Sequence, residues 1–419
     1  MTRDPGLPRG AGDRDGARHA VGLFAFVLLA TSVAVPTVVG LLAVELEGDL
    51  GLDDARLGLV VSAFWAVTAV TAPLAGRWVD HRGWRLGALW GALTTATGLV
   101  LAVALVDTWT ELLAVLALAG VGYAFASPTS NIVVMSLVAP GRQASVLGLK
   151  QTAPPLLMAA AGAVLPALAH ARGWRTATAT VLVLPVAALL LGSRLPRPRP
   201  PAASAVGASG LRTPGERRRA RRALAPLVVA AGLGTFSVAT LTGFAVVTLV
   251  AAGHGPVVAA GVVSVGSLVA VVARVAAGRF LDGRPASDVR PLLAVMGAAA
   301  VALLLVALGS YGLGRAPGPG PWQVLVVVGV VISLVAAWTW PALLLIGVVR
   351  GSEGAGAASG LIQLGSGIGS AVGPAVFGLL SSVGGRGWAW ATMGVLTVVA
   401  ASLVRRPPSP RPPGGGPTS

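Results

Sequence analysis

Two cations stand inside long apolar stretches of this chain, Lys150 and Arg274. An ionised side chain in such a stretch is costly to bury, so it marks a functional position by default. Lys150 is followed by Gln151, Thr152, Pro154 and Pro155. Prolines lack an N–H, so the pair is expected to open the helix locally and leave carbonyls facing a cavity. Arg274 stands one turn before Gly278, and a guanidinium can grip a carboxylate through two parallel hydrogen bonds. None of the 15 Asp and Glu residues falls well inside an apolar stretch. The cations therefore have no counter-charge at their own depth, and the pattern favours an anionic ligand over a cationic one. Asn131, at the end of the polar run Ser127-Pro128-Thr129-Ser130-Asn131, is a softer candidate, as are Gln363, Trp338 and Trp340. Each has a plain alternative. Lys150 would snorkel to the membrane surface, Arg274 would pair with Asp282 two turns on, and the neutral residues would pack against helices or lipid.

Several chemistries are excluded. The chain has no cysteine, and its histidines, His19, His81, His170 and His254, lie far apart. Disulfides, thiolate metal sites and cysteine nucleophiles are absent, and no metal or cofactor is expected. An intramembrane aspartyl protease needs paired carboxylates within the apolar stretches, and a Ser–His enzyme needs a histidine there; neither is found. No glycine-rich phosphate loop with a Lys/Ser pair occurs. No catalytic residue and no enzyme activity are expected. The net charge of +16 comes from arginines in short runs between apolar segments, which reads as membrane topology rather than nucleic-acid binding.

The elements that hold these residues follow from composition. The 419 residues are 55% hydrophobic and 11% charged, against about 25% charged in soluble domains. A bilayer crossing needs about 20 mostly apolar residues. The pattern predicts spans at 20–44, 57–76, 86–106, 112–138, 144–169 and 176–193, then 224–250, 257–280, 291–313, 322–349, 355–383 and 388–404. The first stretch exceeds a signal-peptide core and reads as span one. The fold class is thus an all-α membrane protein of about 12 transmembrane helices in two six-helix pseudo-repeats. The expected domains are an N-tail (1–19), a six-helix bundle (20–193), a basic linker (194–223) ending in a surface helix, a second bundle (224–404) and a disordered tail (405–419). Of 31 Lys and Arg residues, 24 fall at or beyond the span ends on the side of the termini (Arg279 at the edge of span eight among them), five on the other side and two deeper within spans. This bias predicts a multi-pass protein of the plasma membrane with both termini cytoplasmic.

The halves repeat. Gly76, Asp80 and Arg82 after span two recur as Gly278, Asp282 and Arg284 after span eight, an offset of 202 (278 − 76). Gly148-Leu149-Lys150-Gln151 recurs as Gly360-Leu361-Ile362-Gln363, an offset of 212 (360 − 148). A Gly-Trp follows each, at 173–174 and 387–388. Duplicated six-helix halves with a midplane site between them are the anatomy of many secondary transporters.

On these motifs the chain resembles the major facilitator superfamily over nearly its whole length. Gly76, Asp80, Arg82 and Gly83 match that superfamily's signature between spans two and three, and Gly278, Asp282 and Arg284 match its degenerate copy. The resemblance implies alternating-access transport of a small molecule, with Asp80 latching the halves on the cytoplasmic side in the outward-open state and Gly76 allowing close helix approach. Arg274-x-x-x-Gly278 is similar to span eight of monocarboxylate transporters, whose arginine binds the substrate carboxylate. Gly148 through Leu156 resembles span five of cyanate-permease-like members, with a departure at Leu157, where glycine is usual. The expected cargo is a small organic or inorganic anion, with a proton as the expected coupling ion if there is one, carried by a monomer in the lipid bilayer. The alternative is proton-coupled drug or metabolite efflux. Against it, span four lacks the arginine usual in drug–proton antiporters, and the Gly-Pro element sits in span eleven at Gly373-Pro374 instead of span five.

Overall fold

The computed structural model describes residues 11–196, 214–281, 288–316, 318–351 and 355–404. The first half comprises α1 (Ala11–Leu41), α2 (Ala43–Leu50), α3 (Asp54–Arg82), α4 (Trp84–Leu105), α5 (Trp109–Leu137), α6 (Pro140–Lys150), α7 (Ala153–Arg172), α8 (Trp174–Thr180) and α9 (Val183–Arg194). The second comprises α10 (Pro214–Ala251), α11 (Pro256–Leu281), α12 (Arg290–Arg315), α13 (Pro321–Gly351), α14 (Ala355–Gly384) and α15 (Arg386–Val404). Among the described residues, 12 helical segments are long and apolar enough to cross a membrane. They match the twelve expected spans.

Local chemistry sets the boundaries. Asp53 caps α3 by accepting from the Arg56 N–H, and Thr108 with Glu111 forms a reciprocal capping box at α5. Span five is split into α6 and α7 at Gln151–Thr152. The carbonyls of Lys150 and Gln151 would accept from residues 154 and 155, both prolines, so two rungs of the helix are missing. Span six is split between α8 and α9 in the same way, four residues before Pro185.

Three features differ from the sequence reading. Span one, expected over 20–44, ends at Leu41, and the acidic segment beyond Leu42 begins with a separate helix, α2. The basic segment after residue 213 is not separate from span seven but runs into it as one helix, α10. The structural mate of Gly173-Trp174 is Gly385-Arg386, not Gly387-Trp388. Gly173 and Gly385 both have φ 81° and end α7 and α14 at the established offset of 212 (385 − 173).

The N- and C-terminal ends of the spans define two faces. The linker end carries the segments around residues 194 and 214; the far end carries α2. At the far end one hydrophobic core runs through both halves, joining Leu41, Leu57, Val61 and Phe64 to Phe244, Val263, Phe377 and Trp390. At the linker end the cores are separate. One holds Phe24, Trp84 and Val134 of the first half; the other holds Met296, Trp340 and Val404 of the second. The halves are thus packed together at the far end and parted toward the linker end.

Candidate substrate site and gates

Spans five and eight face each other across the two halves. They touch near the far end, where a Cβ on Gly162 would lie 2.5 Å from Ser264 Oγ and 3.1 Å from the Ala260 carbonyl. Lys150 lies 12 residues from Gly162, and Arg274 lies 10 residues from Ser264 (162 − 150; 274 − 264). At 1.5 Å per residue both cations sit about 15–18 Å below that contact, where the helices separate. The structure therefore puts Lys150 and Arg274 at similar depth on facing helices.

Lys150 does not snorkel. It is 1% exposed. Its Nζ donates to Ser130 Oγ at 2.9 Å and to Asn131 Oδ1. Asn131 is itself exposed, so the ammonium lies directly behind it with one donor left. Two residues chosen separately from the sequence, Lys150 and Asn131, thus form one cluster. Gln151 sits at the break between α6 and α7. Arg274 donates from Nη1 to the Trp338 carbonyl at 2.9 Å, which joins another pair of candidates. A guanidinium has five N–H donors, so Arg274 keeps most of its capacity. The Trp338 Nε1–H is buried without an acceptor. Gln363 is exposed. Neither Lys150 nor Arg274 has a carboxylate partner among the described residues. The suggested partner Asp282, like Arg284, lies outside them.

Trp65 and Tyr123 are additions to the sequence candidates. With Phe64 they form an edge-to-face aromatic cluster with centroids 4.9, 5.4 and 5.8 Å apart. The Trp65 Nε1–H is buried without a partner. No charge or motif marks these residues in the sequence; only the fold gathers them.

Among the described residues, the signature positions near the linker end are not engaged. Asp80 and Arg82 are exposed, and Asp80 has no ion pair among the described residues. No described atom lies within 4 Å of a Cβ built on Gly76 or Gly83. The close approach expected at Gly76 is thus not made in this state; the halves are parted there. Gly278 lies in the last turns of α11.

The far end is closed by a contact the sequence did not single out. Arg386 at the start of α15 grips Asp54 at the start of α3 in two-point fashion, Nε to Oδ2 at 2.9 Å and Nη2 to Oδ1 at 2.8 Å. Ser381 Oγ also donates to Asp54 Oδ2, and Arg386 Nη1 reaches the Val247 carbonyl at 3.3 Å. The two side chains are 24% and 15% exposed. Around the pair, spans two and eleven meet through backbone. A Cβ on Gly58 would lie 2.3 Å from the Pro374 carbonyl, and one on Gly378 would lie 2.2 Å from the Asp54 carbonyl. Ala375 N–H donates to Ser62 Oγ across the same seam at 2.9 Å. Nearby on α2, one oxygen of Glu45 is buried without a partner. Burial pushes its carboxyl above the usual range, opposed by its backbone hydrogen bond and by His170.

Two six-helix halves closed at one end and parted at the other, with polar groups between them, define a secondary transporter of the alternating-access kind. The family model of the Major Facilitator Superfamily matches residues 20–313, and the chain belongs to that superfamily. No curated protein matches the sequence. Among solved structures, the nucleoside transporter NupG is similar at TM-score 0.70 and 15% identity, over 93% of this chain and 99% of that one. A D-xylose-proton symporter gives TM-score 0.72 and 14% identity over 92% and 97%. A bacterial homolog of the human lysosomal transporter Spinster, inward-facing and occupied, gives 0.70 and 16% over 95% and 97%. At these identities the likeness extends to the fold. The protein is therefore a multi-pass membrane transporter of small molecules.

Proposed function

We propose that the protein moves a small organic or inorganic anion across the plasma membrane by alternating access, as a monomer with both termini cytoplasmic. The observation that carries this reading is the pair Lys150 and Arg274 on facing helices, each bonded only to neutral groups among the described residues. An anion entering from the linker end would accept from the free donor of Lys150, from Asn131 and Gln151, and from Arg274 with the Trp338 indole N–H. It would supply the counter-charge that the spans lack. The linker end is then cytoplasmic, and Asp80 becomes the latch of the opposite, outward-open state. Proton coupling fits the half-buried carboxyl of Glu45.

The test is a thermal-shift screen of the purified protein against small carboxylates, inorganic anions and lipophilic cations. A ligand that binds the folded state raises apparent stability by mass action. An anion is expected to stabilise the wild type and to lose about 2 kcal/mol of binding, roughly thirtyfold, with Arg274→Ala or Lys150→Ala. Arg274→Lys should recover part of that loss, since it keeps the charge but not the planar fork. Stabilisation by lipophilic cations alone, unchanged in the variants, would replace this reading with efflux.

A further inference from the structure

The far end holds a second cationic feature that the central site does not use. A cleft of about 420 Å³ opens beside the Asp54–Arg386 pair, between the ends of α10 and α12 and the start of α15. Its lining includes Arg315, Arg386, Tyr311, Trp388 and Thr248, and no acidic residue is among the described residues that line it. Arg315 is exposed, stacks 3.8 Å from the Tyr311 ring centroid and donates to its hydroxyl at 2.6 Å. It has no carboxylate partner among the described residues. The positive φ of Gly385 turns the chain so that α15 begins at the cleft. The N–H groups of its first turn have no intrahelical acceptors. Two guanidiniums, of which Arg386 is also held by Asp54, a phenol and these N–H groups border a space with no carboxylate among its described lining residues, which suits an oxyanion.

Arg386 belongs to both the cleft and the ion pair with Asp54. Its two-point grip on Asp54 is the contact by which α15 holds α3. An oxyanion in the cleft offers Arg386 the same geometry as the Asp54 carboxylate. We propose that the cleft is an anion site for a phosphate-class group, and that its occupant competes with Asp54 for Arg386 and so releases the far end. The site is distinct from Lys150 and Arg274, so it stands whatever the cargo is. The group can arrive as free phosphate or as the headgroup of a phospholipid, since Tyr311 and Trp388 are exposed beside it, as aromatic residues at a membrane interface are.

The chain has no cysteine, so Ser62→Cys, under the seam, gives a single reporter thiol. Its labelling by a membrane-impermeant maleimide in nanodiscs measures opening of the far end. Inorganic phosphate is expected to raise the labelling rate several-fold over sodium chloride of equal ionic strength, and Arg315→Gln to abolish the rise. If the headgroup is the source, discs containing phosphatidylglycerol will label faster than phosphatidylcholine discs without added phosphate, and Arg315→Gln will again cancel the difference. Asp54→Asn serves as the control that opens the seam without an anion. Fast labelling of the Asp54→Asn protein, together with no response to phosphate or phosphatidylglycerol in the protein that keeps Asp54, sinks the anion site and leaves the central anion reading untouched. An equal rise with chloride means screening of the pair alone and also overturns the proposal, as does an Asp54→Asn protein that stays closed.

Discussion

The two ends of the transporter solve the same contact problem differently. At the far end the halves meet backbone to backbone. A methyl group on Gly40, Gly58 or Gly378 would lie 2.1–2.3 Å from a carbonyl of the opposite half. Toward the linker end, a methyl on Gly76, Gly83, Gly148 or Gly360 would meet no described atom within 4 Å. One seam depends on the absence of side chains and is fastened by Asp54 and Arg386; at the other, Asp80 and Arg82 are exposed and Asp80 has no ion pair among the described residues. The closed end is therefore held by fit, the Ala375–Ser62 hydrogen bond and one ion pair, contacts with no counterpart at the open end among the described residues.

The largest effect on this contrast is expected from removing the fastening. A pair of this intermediate burial falls between exposed and buried ion pairs, so Asp54→Asn should shift the balance toward far-end opening by about 2 kcal/mol, roughly thirtyfold. Spin labels placed on the far ends of spans two and eleven would show a longer distance population. An unchanged distance would mean that fit alone holds the seam. Next, Gly58→Ala should cost the closed state about 1–2 kcal/mol, since a rigid carbonyl must give way. Gly76→Ala should leave the resting distances unchanged, and an equal response of the two variants would erase the distinction between the ends. The smallest expected effect is a pH dependence from Glu45. Its carboxyl titrates above the unfolded value, so the folded state binds the extra proton. The resulting stability is full below the unfolded pKa and is lost as pH rises through the folded one. On neighbouring elements the facing titratable group is His170 of α7, and Asp49 of α2 itself accepts from Trp174 Nε1. Thermal melts of Glu45→Gln should be flatter across mildly acidic pH than those of the wild type. Parallel curves would remove Glu45 from the far-end balance.

The spans were legible because hydropathy is local: twenty apolar residues announce themselves wherever they pack. The repeat was legible because duplication preserves spacing, and the Lys150–Asn131 and Arg274–Trp338 contacts join residues picked out by their cost in lipid. The far-end gate was not legible for the opposite reason. Asp54 and Arg386 lie 332 positions apart, both at helix starts, where a charge costs little and draws no notice. The Gly-Trp repeat differs from the structural one because Trp174 and Arg386 occupy equivalent places with different chemistry. At Gly76 the close packing expected from the signature is not made in this conformation.

The glycine seam has a kinetic consequence. Surfaces that interlock through long side chains must immobilise rotamers each time they close and free them each time they part, at a cost of about 0.5–2 kcal/mol per large side chain. Backbone faces built on Gly40, Gly58 and Gly378 carry almost none of that friction. The tempo of far-end opening is then set by electrostatics, and raising the ionic strength should quicken turnover until another step takes over.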